Sequence, residues 1–233
     1  MLDVSDLTVI FPMPDGTTLT PLADFCLSIG VGEIVGLCGP SGCGKTVFAT
    51  ALLGILEPPG FIAGGRAVFM CRDGESVDLF TLNERQFRQV RGREIGMIFQ
   101  DPVASLHPAR KISAVFTETL RAHCARLSQS LCHEIAEEWL GKMRFAEPKK
   151  ILASYPFELS GGMCQRVAIA MALALHPRLL IADEPTTALD VKNEDQILRL
   201  LLDARNESGM AILLISHDMD VVTSVSDRIV RFG

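Results

Sequence analysis

The sequence predicts an α/β protein with a parallel sheet covered by helices, an N-terminal antiparallel β subdomain and a helical insertion. Three observations lead to this fold class. Four apolar runs of strand length, most of them without polar alternation, indicate strands that are buried on both faces. Helical patterns separate these runs, which is typical of a parallel sheet. A long segment between the second and third run carries few strand-like patterns at all.

The parallel strands are predicted at residues 33–38, 96–99, 179–182 and 211–215. Helical patterns at residues 45–55, 161–175 and 191–208 connect them, so the core is interpreted as a right-handed α/β wind. Near the N-terminus, residues 7–11, 18–29, 66–70 and 76–80 favour short antiparallel strands, because Pro-Asp-Gly and Asp-Gly turn signals separate them.

The segment 101–160 is interpreted as a helical subdomain within a single domain that spans residues 1–233. Its amphipathic helix candidates lie at residues 112–124 and 131–143. A length of 233 residues fits one large domain of this kind.

Composition and charge exclude several classes of protein. The formal net charge of -6 disfavours a general nucleic-acid binder, which needs a basic surface to displace counterions. Seven cysteines, odd in number and without a C-x-x-C pair, indicate reduced thiols in a cytosolic protein. The most apolar window, near residues 168–175, is well short of the roughly 20 apolar residues of a bilayer span. Any membrane role is therefore expected to come through partner proteins.

Residues 39–46 match the phosphate-binding pattern G-x-x-x-x-G-K-[ST], between a predicted strand and a predicted helix. The glycines allow consecutive backbone N–H groups to face an anion, and the helix adds its positive N-terminal end. Lys45 is predicted to neutralise the β- and γ-phosphates, and Thr46 to offer its hydroxyl to Mg²⁺. The predicted nucleotide-binding residues of this loop are Gly39, Pro40, Ser41, Gly42, Cys43, Gly44, Lys45 and Thr46.

Two adjacent carboxylates, Asp183 and Glu184, follow the predicted strand at residues 179–182. Ligands of open α/β sheets bind beyond the carboxyl ends of strands, and alternation along a strand gives the two acids different tasks. We expect Asp183 to hold Mg²⁺ and Glu184 to polarise the water that attacks the γ-phosphate. Taken alone, the pair fits a solvated acidic turn equally well.

His217 and Gln100 each follow another predicted strand, at the same edge of the expected sheet. A lone histidine is more often a structural residue, but the position of His217 beside the expected γ-phosphate favours a catalytic role. The amide of Gln100 is a candidate ligand for the metal or for the attacking water.

A second anion site is predicted at Leu159-Ser-Gly-Gly-Met163, at the start of a long apolar helix. Ser160 supplies a hydroxyl, and Gly161 and Gly162 leave N–H groups exposed. One nucleotide hardly needs two such sites from one chain. A head-to-tail dimer is therefore expected, in which Ser160 of one subunit caps the γ-phosphate held by Lys45 of the other. In isolation, the segment also fits an ordinary helix N-cap.

The order of these motifs resembles that of the ATP-binding-cassette (ABC) ATPase family over nearly the whole chain. The resemblance implies the ABC ATPase fold with its P-loop NTPase core, ATP and Mg²⁺ as cofactors, and ATP hydrolysis. The strings at residues 98–102, 105–108, 155–163, 182–190 and 216–218 are more specifically similar to importers of dipeptides, oligopeptides and nickel.

The resemblance also implies roles for residues outside the phosphate loop. It implies that Asp190 lies in a loop that crosses the dimer interface and that Gln165 belongs to the nucleotide-binding segment after Ser160. It implies that Phe11 stacks on adenine, although an edge-strand core aromatic is an open alternative. The Gln100 region and the helical subdomain are implied to contact membrane subunits.

The partners implied by the resemblance are a second ABC ATPase subunit, heteromeric by analogy, and transmembrane permeases, with an extracytoplasmic solute-binding protein acting indirectly. No nucleic acid is expected. The implied location is peripheral, at the cytoplasmic face of a prokaryotic inner membrane.

Two departures from the family pattern affect the expected cargo. The segment usually written S-L-N-P reads Ser105-Leu-His107-Pro108, in the region expected to face the permease. The sequence ends at Gly233, where peptide-importer relatives continue, which favours nickel or metal-chelate relatives. A soluble cassette ATPase not coupled to transport is the alternative function. The complete set of Lys45, Asp183, Glu184 and His217 argues against a non-hydrolysing subunit.

Overall fold

The computed structural model describes residues 1–187 and 191–232 of the chain. Two sheets and eight α-helices make up this part of the molecule. The prediction for Asp190 falls outside the described residues and stays a prediction.

The antiparallel sheet is formed by β1 (Leu2–Pro12), β2 (Thr18–Ile29), β4 (Phe61–Met70) and β5 (Ser76–Asp78), in the order β2-β1-β4-β5. Every neighbouring pair is antiparallel, as the turn signals predict. β1 and β4 are longer than expected and β5 is shorter. Buried Leu2, Val4, Leu7 and Val9 give β1 one apolar face, which is interrupted by register shifts around Asp6.

The parallel sheet is formed by β3 (Ile34–Cys38), β6 (Ile95–Ile98), β7 (Leu179–Asp183), β8 (Ala211–Ile215) and β9 (Arg228–Arg231). The strand order is β6-β7-β8-β3-β9, with every pair parallel. The four predicted strands are confirmed within one residue at each end. The edge strand β9 was not predicted, because its short apolar centre lies between Arg228 and Arg231 and reads as an exposed loop.

The helices are α1 (Lys45–Leu52), α2 (Glu84–Val90), α3 (Ile112–His123), α4 (Gln129–Lys142), α5 (Pro148–Ala153), α6 (Gly161–Ala174), α7 (Val191–Ser208) and α8 (Met219–Val225). The helical interpretation of residues 161–175 and 191–208 is confirmed. α1 ends earlier than expected, before Gly54, whose φ of +60° favours glycine and interrupts a helix. α2 was not predicted, although Asn83 and Gln86 form a capping box at its start.

Two apolar cores lie on opposite faces of the parallel sheet. Along β8, Leu213 and Ile215 pack with α1 and the antiparallel sheet, whereas Ile212 and Leu214 pack with α6, α7 and the helical insertion. All residues of β3, β7 and β8 are buried, which agrees with the apolar runs of the sequence. The carboxyl ends of these strands therefore meet at one edge of the sheet.

The insertion between β6 and α6 contains α3, α4 and α5, and it packs on α6 through one continuous apolar cluster. Among the helices that the structure describes, none is long and apolar enough to cross a membrane. All seven cysteines are free thiols, as expected from their spacing.

Candidate functional site

The phosphate loop connects the end of β3 to the start of α1. Gly44, the residue before α1, has a φ of +109°, and a Cβ there would lie 2.8 Å from the carbonyl oxygen of Pro21. Gly42 also has a positive φ, of +80°. These positions let the chain curl into a concave loop whose backbone N–H groups can receive an anion at the helix N-terminus.

Lys45 extends back over this loop and is 8% exposed. Its Nζ donates hydrogen bonds to the carbonyl oxygens of Gly39 at 2.8 Å and Pro40 at 2.9 Å. Among the described residues no carboxylate pairs with this ammonium group. The positive charge is thus held at the loop by neutral acceptors and is available to an anion.

Thr46 and Asp183 join the loop to the end of β7. The Thr46 hydroxyl donates a 2.7 Å hydrogen bond to Oδ2 of Asp183, which is 1% exposed. Burial raises the pKa of Asp183, and the Thr46 hydroxyl partly offsets that effect. The other carboxylate oxygen, Oδ1, is buried and has no hydrogen-bond partner in the described part of the chain.

The oxygen atoms at this position fit Mg²⁺. Asp183, Thr46 and Gln100 line the same cavity, Oδ1 of Asp183 is left without a hydrogen-bond partner among the described residues, and Mg²⁺ prefers oxygen ligands. No cluster of three or more His, Cys, Asp or Glu side chains suited to a metal is found in the described ranges. Such a site fits a Mg²⁺ ion that is held largely by phosphates and water.

Glu184 directly follows β7, and its φ of +50° turns its side chain away from that of Asp183. Its carboxylate is largely buried. Oε1 accepts the backbone N–H of His217 at 2.9 Å and lies 2.8 Å from Nδ1 of the same residue. The imidazole itself is 61% exposed. The predicted base and the predicted histidine are therefore in direct contact at the ends of β7 and β8.

Sequence reasoning assigned no role to Thr187 or Ser216, which also contact Glu184. The Thr187 hydroxyl donates to Oε2 of Glu184 at 3.0 Å, and Ser216 Oγ lies 3.5 Å from the same oxygen. The only indication in the sequence was that these two hydroxyl residues lie close to the acidic pair and to the histidine. Their contact could not be read from the sequence, because it depends on how the turn after Glu184 folds back.

A cavity of about 170 Å³ lies over the phosphate loop. It brings together predicted residues from the ends of β3, β6 and β7, and its lining consists of Ser41, Gly42, Gly44, Lys45, Thr46, Val47, Gln100, Asp183 and Glu184. His217 does not belong to this lining, but it contacts one of the lining residues, Glu184.

The second predicted anion site lies at the start of α6. The Ser160 hydroxyl accepts the backbone N–H of Met163 at 3.3 Å and so caps the helix. Ser160 and Gly161 are exposed, and a Cβ on Gly161 would meet open space. Neither residue belongs to the lining of the phosphate cavity of its own chain. The helix start is therefore open to a ligand or subunit from outside.

Gln165 and Phe11 lie away from the phosphate cavity. The Gln165 side chain is fully buried, and neither of its amide atoms has a partner among the described residues. The contact of Gln165 with a nucleotide stays a prediction. Phe11, near the end of β1, is half-buried, and its ring lies so close to Gly60 that a Cβ there would be 2.5 Å from the ring. Its proposed stacking on adenine stays a prediction.

An apolar groove of about 700 Å³ was not predicted from the sequence. It lies between β6, α3 and α6, and its lining includes Phe99, Leu106, His123, Met171 and Ala172. Phe99 lines this groove whereas the next residue, Gln100, lines the phosphate cavity. Consecutive residues after β6 therefore line different cavities.

The comparisons with known proteins agree with this geometry. Residues 22–187 match the family model described as ABC transporter. The chain belongs to the ABC transporter family. A probable peptide ABC transporter ATP-binding protein of Sinorhizobium fredii is 43% identical over 99% of this chain and 67% of the relative. The oligopeptide transport ATP-binding protein OppD of Bacillus subtilis is 41% identical over 98% of this chain and 62% of the relative.

The ABC chain thus spans about two thirds of the length of these curated relatives. The solved structures agree on the fold. A dimeric post-hydrolysis state of the ATP-binding cassette MJ0796, bound to ADP and Pi, has a TM-score of 0.86 at 28% identity and covers 100% of this chain and 94% of its own. The family resemblance and the ABC ATPase fold class are confirmed.

Proposed function

We propose that this chain is the ATP-binding and ATP-hydrolysing subunit of an ABC importer. The observation that carries the proposal is the contact between Glu184 and His217 at the edge of a phosphate-loop cavity. A phosphate loop alone supports only nucleotide binding. A carboxylate base with a histidine partner beside the γ-phosphate position adds the means to activate water.

Nucleotide binding is assigned to the loop and to the acidic edge of the sheet. Backbone N–H groups of residues 39–46 and the Lys45 ammonium receive the phosphates. Thr46 and Asp183, together with the Gln100 amide, would hold Mg²⁺, which when bound would supply positive charge to the phosphates. The ADP-bound cassette with a similar fold supports this assignment.

Hydrolysis is assigned to Glu184 and His217. Glu184 Oε1 accepts a proton from the attacking water, while the exposed imidazole of His217 orients that carboxylate and faces the γ-phosphate. Gln100, which follows the neighbouring strand β6, lines the same cavity and positions the water. Burial of Glu184 within the turn keeps bulk water away from the reacting oxygen.

The test is Glu184→Gln in the purified chain. We expect this variant to bind ATP as the wild type does and to lose at least about 100-fold in kcat, because the amide cannot accept the proton. Glu138→Gln, which removes an exposed carboxylate of α4, is the matched control and is expected to retain activity. Unchanged turnover in Glu184→Gln would refute the assignment of the base.

The exposed helix start at Ser160 supports a dimer. Because it does not line the phosphate cavity of its own chain, it is suited to cap the γ-phosphate bound by a second ABC subunit. The related cassette whose structure is described as dimeric supports this arrangement. The partner subunit is proposed to be a different chain of the same family.

The apolar groove beside β6 is proposed as the contact with a transmembrane permease, which places the chain at the cytoplasmic face of the membrane. Its apolar lining favours a membrane-coupled subunit over a soluble ATPase. Ala172→Glu is expected to abolish ATP-driven uptake in the assembled transporter while the ATPase rate of the isolated chain stays within about twofold, since a buried charge blocks docking. Uptake at the wild-type rate would exclude this groove as the contact.

The cargo is proposed to be a peptide. Curated relatives of this chain include peptide and oligopeptide transport proteins, which supports a peptide cargo over a nickel cargo. Competition in an uptake assay separates the two: excess oligopeptide should suppress transport and excess nickel should not. Suppression by nickel and not by oligopeptide would show that the cargo is the metal.

A further inference from the structure

The second carboxylate oxygen of Glu184 is held by a residue of its own turn. The backbone N–H of Thr187 lies 3.4 Å from the carbonyl oxygen of Glu184, so the chain turns back on itself after β7. Within this turn the Thr187 hydroxyl donates a 3.0 Å hydrogen bond to Oε2. Both carboxylate oxygens therefore have a polar partner: His217 contacts Oε1 and Thr187 contacts Oε2.

Thr187 is the shorter of the two contacts to Oε2. Ser216 Oγ lies 3.5 Å from that oxygen, at the limit of a hydrogen bond, and already accepts the backbone N–H of Asp218 at 3.0 Å. Thr187 makes the contact from an exposed position, whereas Glu184 is 8% exposed. Removing the Thr187 hydroxyl therefore removes a hydrogen bond to the carboxylate without creating a cavity in the apolar core.

Orientation of this carboxylate matters because only one of its oxygens is directed by His217. A carboxylate is symmetric about its terminal bond, and with Oε2 held only by the long contact to Ser216 it can rotate and offer the attacking water a poorly aligned lone pair. Misalignment of a general base lowers the rate of the chemical step without weakening the binding of the nucleotide.

We propose that Thr187 is a positioning residue for ATP hydrolysis, acting through Oε2 of Glu184. The inference rests on the proposed function, because it assumes that Glu184 is the base. Thr187 itself does not belong to the lining of the phosphate cavity, so its effect is exerted through the carboxylate and not through the phosphates.

The experiment compares Thr187→Val, which keeps the shape and removes the hydroxyl, with Thr187→Ser, which keeps the hydroxyl. Steady-state ATPase assays on the full chain should give about a tenfold lower kcat for Thr187→Val, as expected for loss of a hydrogen bond to a charged group. The KM for ATP should stay within about twofold, and Thr187→Ser should retain at least about half of the wild-type kcat.

A second measurement separates positioning from a general effect on the fold. In the Glu184→Gln background, Thr187→Val should cause no further loss of the residual activity, because the group it positions has already been disabled. A further tenfold loss there, or a wild-type kcat in the single Thr187→Val variant, would overturn the inference. Thr187→Ala provides the same test should the valine variant have a lower Tm.

The two failures can be told apart. If the wild-type chain has no ATPase activity above that of Glu184→Gln, the proposed function fails. If the wild type is active and Glu184→Gln is not, but Thr187→Val equals the wild type, only the role of Thr187 fails.

Discussion

The Thr46 hydroxyl donates to Oδ2 of Asp183 across 2.7 Å, so the first turn of α1 is tied to the last residue of β7. This contact is made between elements that lie 137 residues apart in the chain. It holds one oxygen of a buried carboxylate and leaves the other without a partner in the described part of the molecule. The buried, partly unpartnered carboxylate of Asp183 should therefore lower the stability of the nucleotide-free fold, although the proposed function requires it.

We predict that Asp183→Asn raises the thermal stability of the nucleotide-free chain. Burial raises the pKa of Asp183 above the usual 3.8, so the folded state favours the protonated form. That contribution to stability is present below the usual value and is lost as the pH rises through the raised pKa. At pH 7 the neutral amide should thus increase Tm by about 1–4 °C.

The pH dependence checks the sign of this effect. The Tm difference between Asp183→Asn and the wild type, measured by calorimetry, should narrow as the pH falls from neutral into the window just above 3.8. The same variant should lose Mg-dependent ATPase activity. A lower Tm for the variant at pH 7 would mean that the carboxylate stabilises the fold.

Removal of the His217 imidazole should slow hydrolysis and leave nucleotide binding intact. His217 Nδ1 lies 2.8 Å from Oε1 of Glu184, so His217→Ala frees the base and removes a polar group from the reaction side. We expect kcat to fall by about 100-fold, with KM for ATP within a few-fold of the wild type. His107→Ala, in an exposed loop, is the control and should be silent in the isolated chain. A rise in KM with normal kcat would assign His217 to binding alone.

Two defective chains should restore one active site when they are mixed. Lys45→Ala disables the phosphate loop and Gly161→Asp places a negative charge at the exposed start of α6. In a head-to-tail pair of these variants, one composite site keeps both Lys45 and Gly161 intact. ATPase activity of the mixture should exceed the sum of the separate variants. Activity equal to that sum would contradict a site shared between two copies of this chain and would leave the pair with a different ABC subunit as the shared site.

Glycine substitutions at two positions should have opposite effects on Tm. Gly44→Ala places a side chain at a φ of +109° and against the Pro21 carbonyl, which should cost about 1–3 kcal/mol and abolish ATP binding. Gly141→Ala, in α4 with open space around the new Cβ, should gain up to about 1 kcal/mol and leave activity unchanged. Thermal melts and an ATP-binding assay check both. A destabilised Gly141→Ala would show that the helix end requires glycine.

The sequence predicted the parts of the fold that depend on local patterns. The strands β3, β7 and β8 are continuous apolar runs, and their ends place Lys45, Asp183 and His217 within one site. β9 was not predicted because an edge strand needs few apolar residues. It forms a strand here because it pairs with β3. Its assignment requires tertiary information.

The features of the site that the sequence did not predict also depend on tertiary structure. Spacing placed Glu184 beside His217, but the contacts of Thr187 and the burial of Gln165 depend on how a turn folds and how a helix faces its neighbours. Gln165 follows Ser160 closely in sequence and was grouped with it, yet on α6 its side chain is fully buried whereas Ser160 is exposed. A sequence motif alone does not show which of its residues lie on the exposed face of a helix, where a ligand can bind, and which lie on the buried face.

The adjacency of Phe99 and Gln100 has a thermodynamic consequence for the whole molecule. One residue lines the groove and the next lines the phosphate cavity, so an occupant that shifts the end of β6 changes both environments together. Linkage then requires reciprocity: by whatever factor a groove ligand changes the affinity for ATP, bound ATP changes the affinity for that ligand. Two equilibrium titrations, each performed with and without the other ligand, would have to give the same ratio.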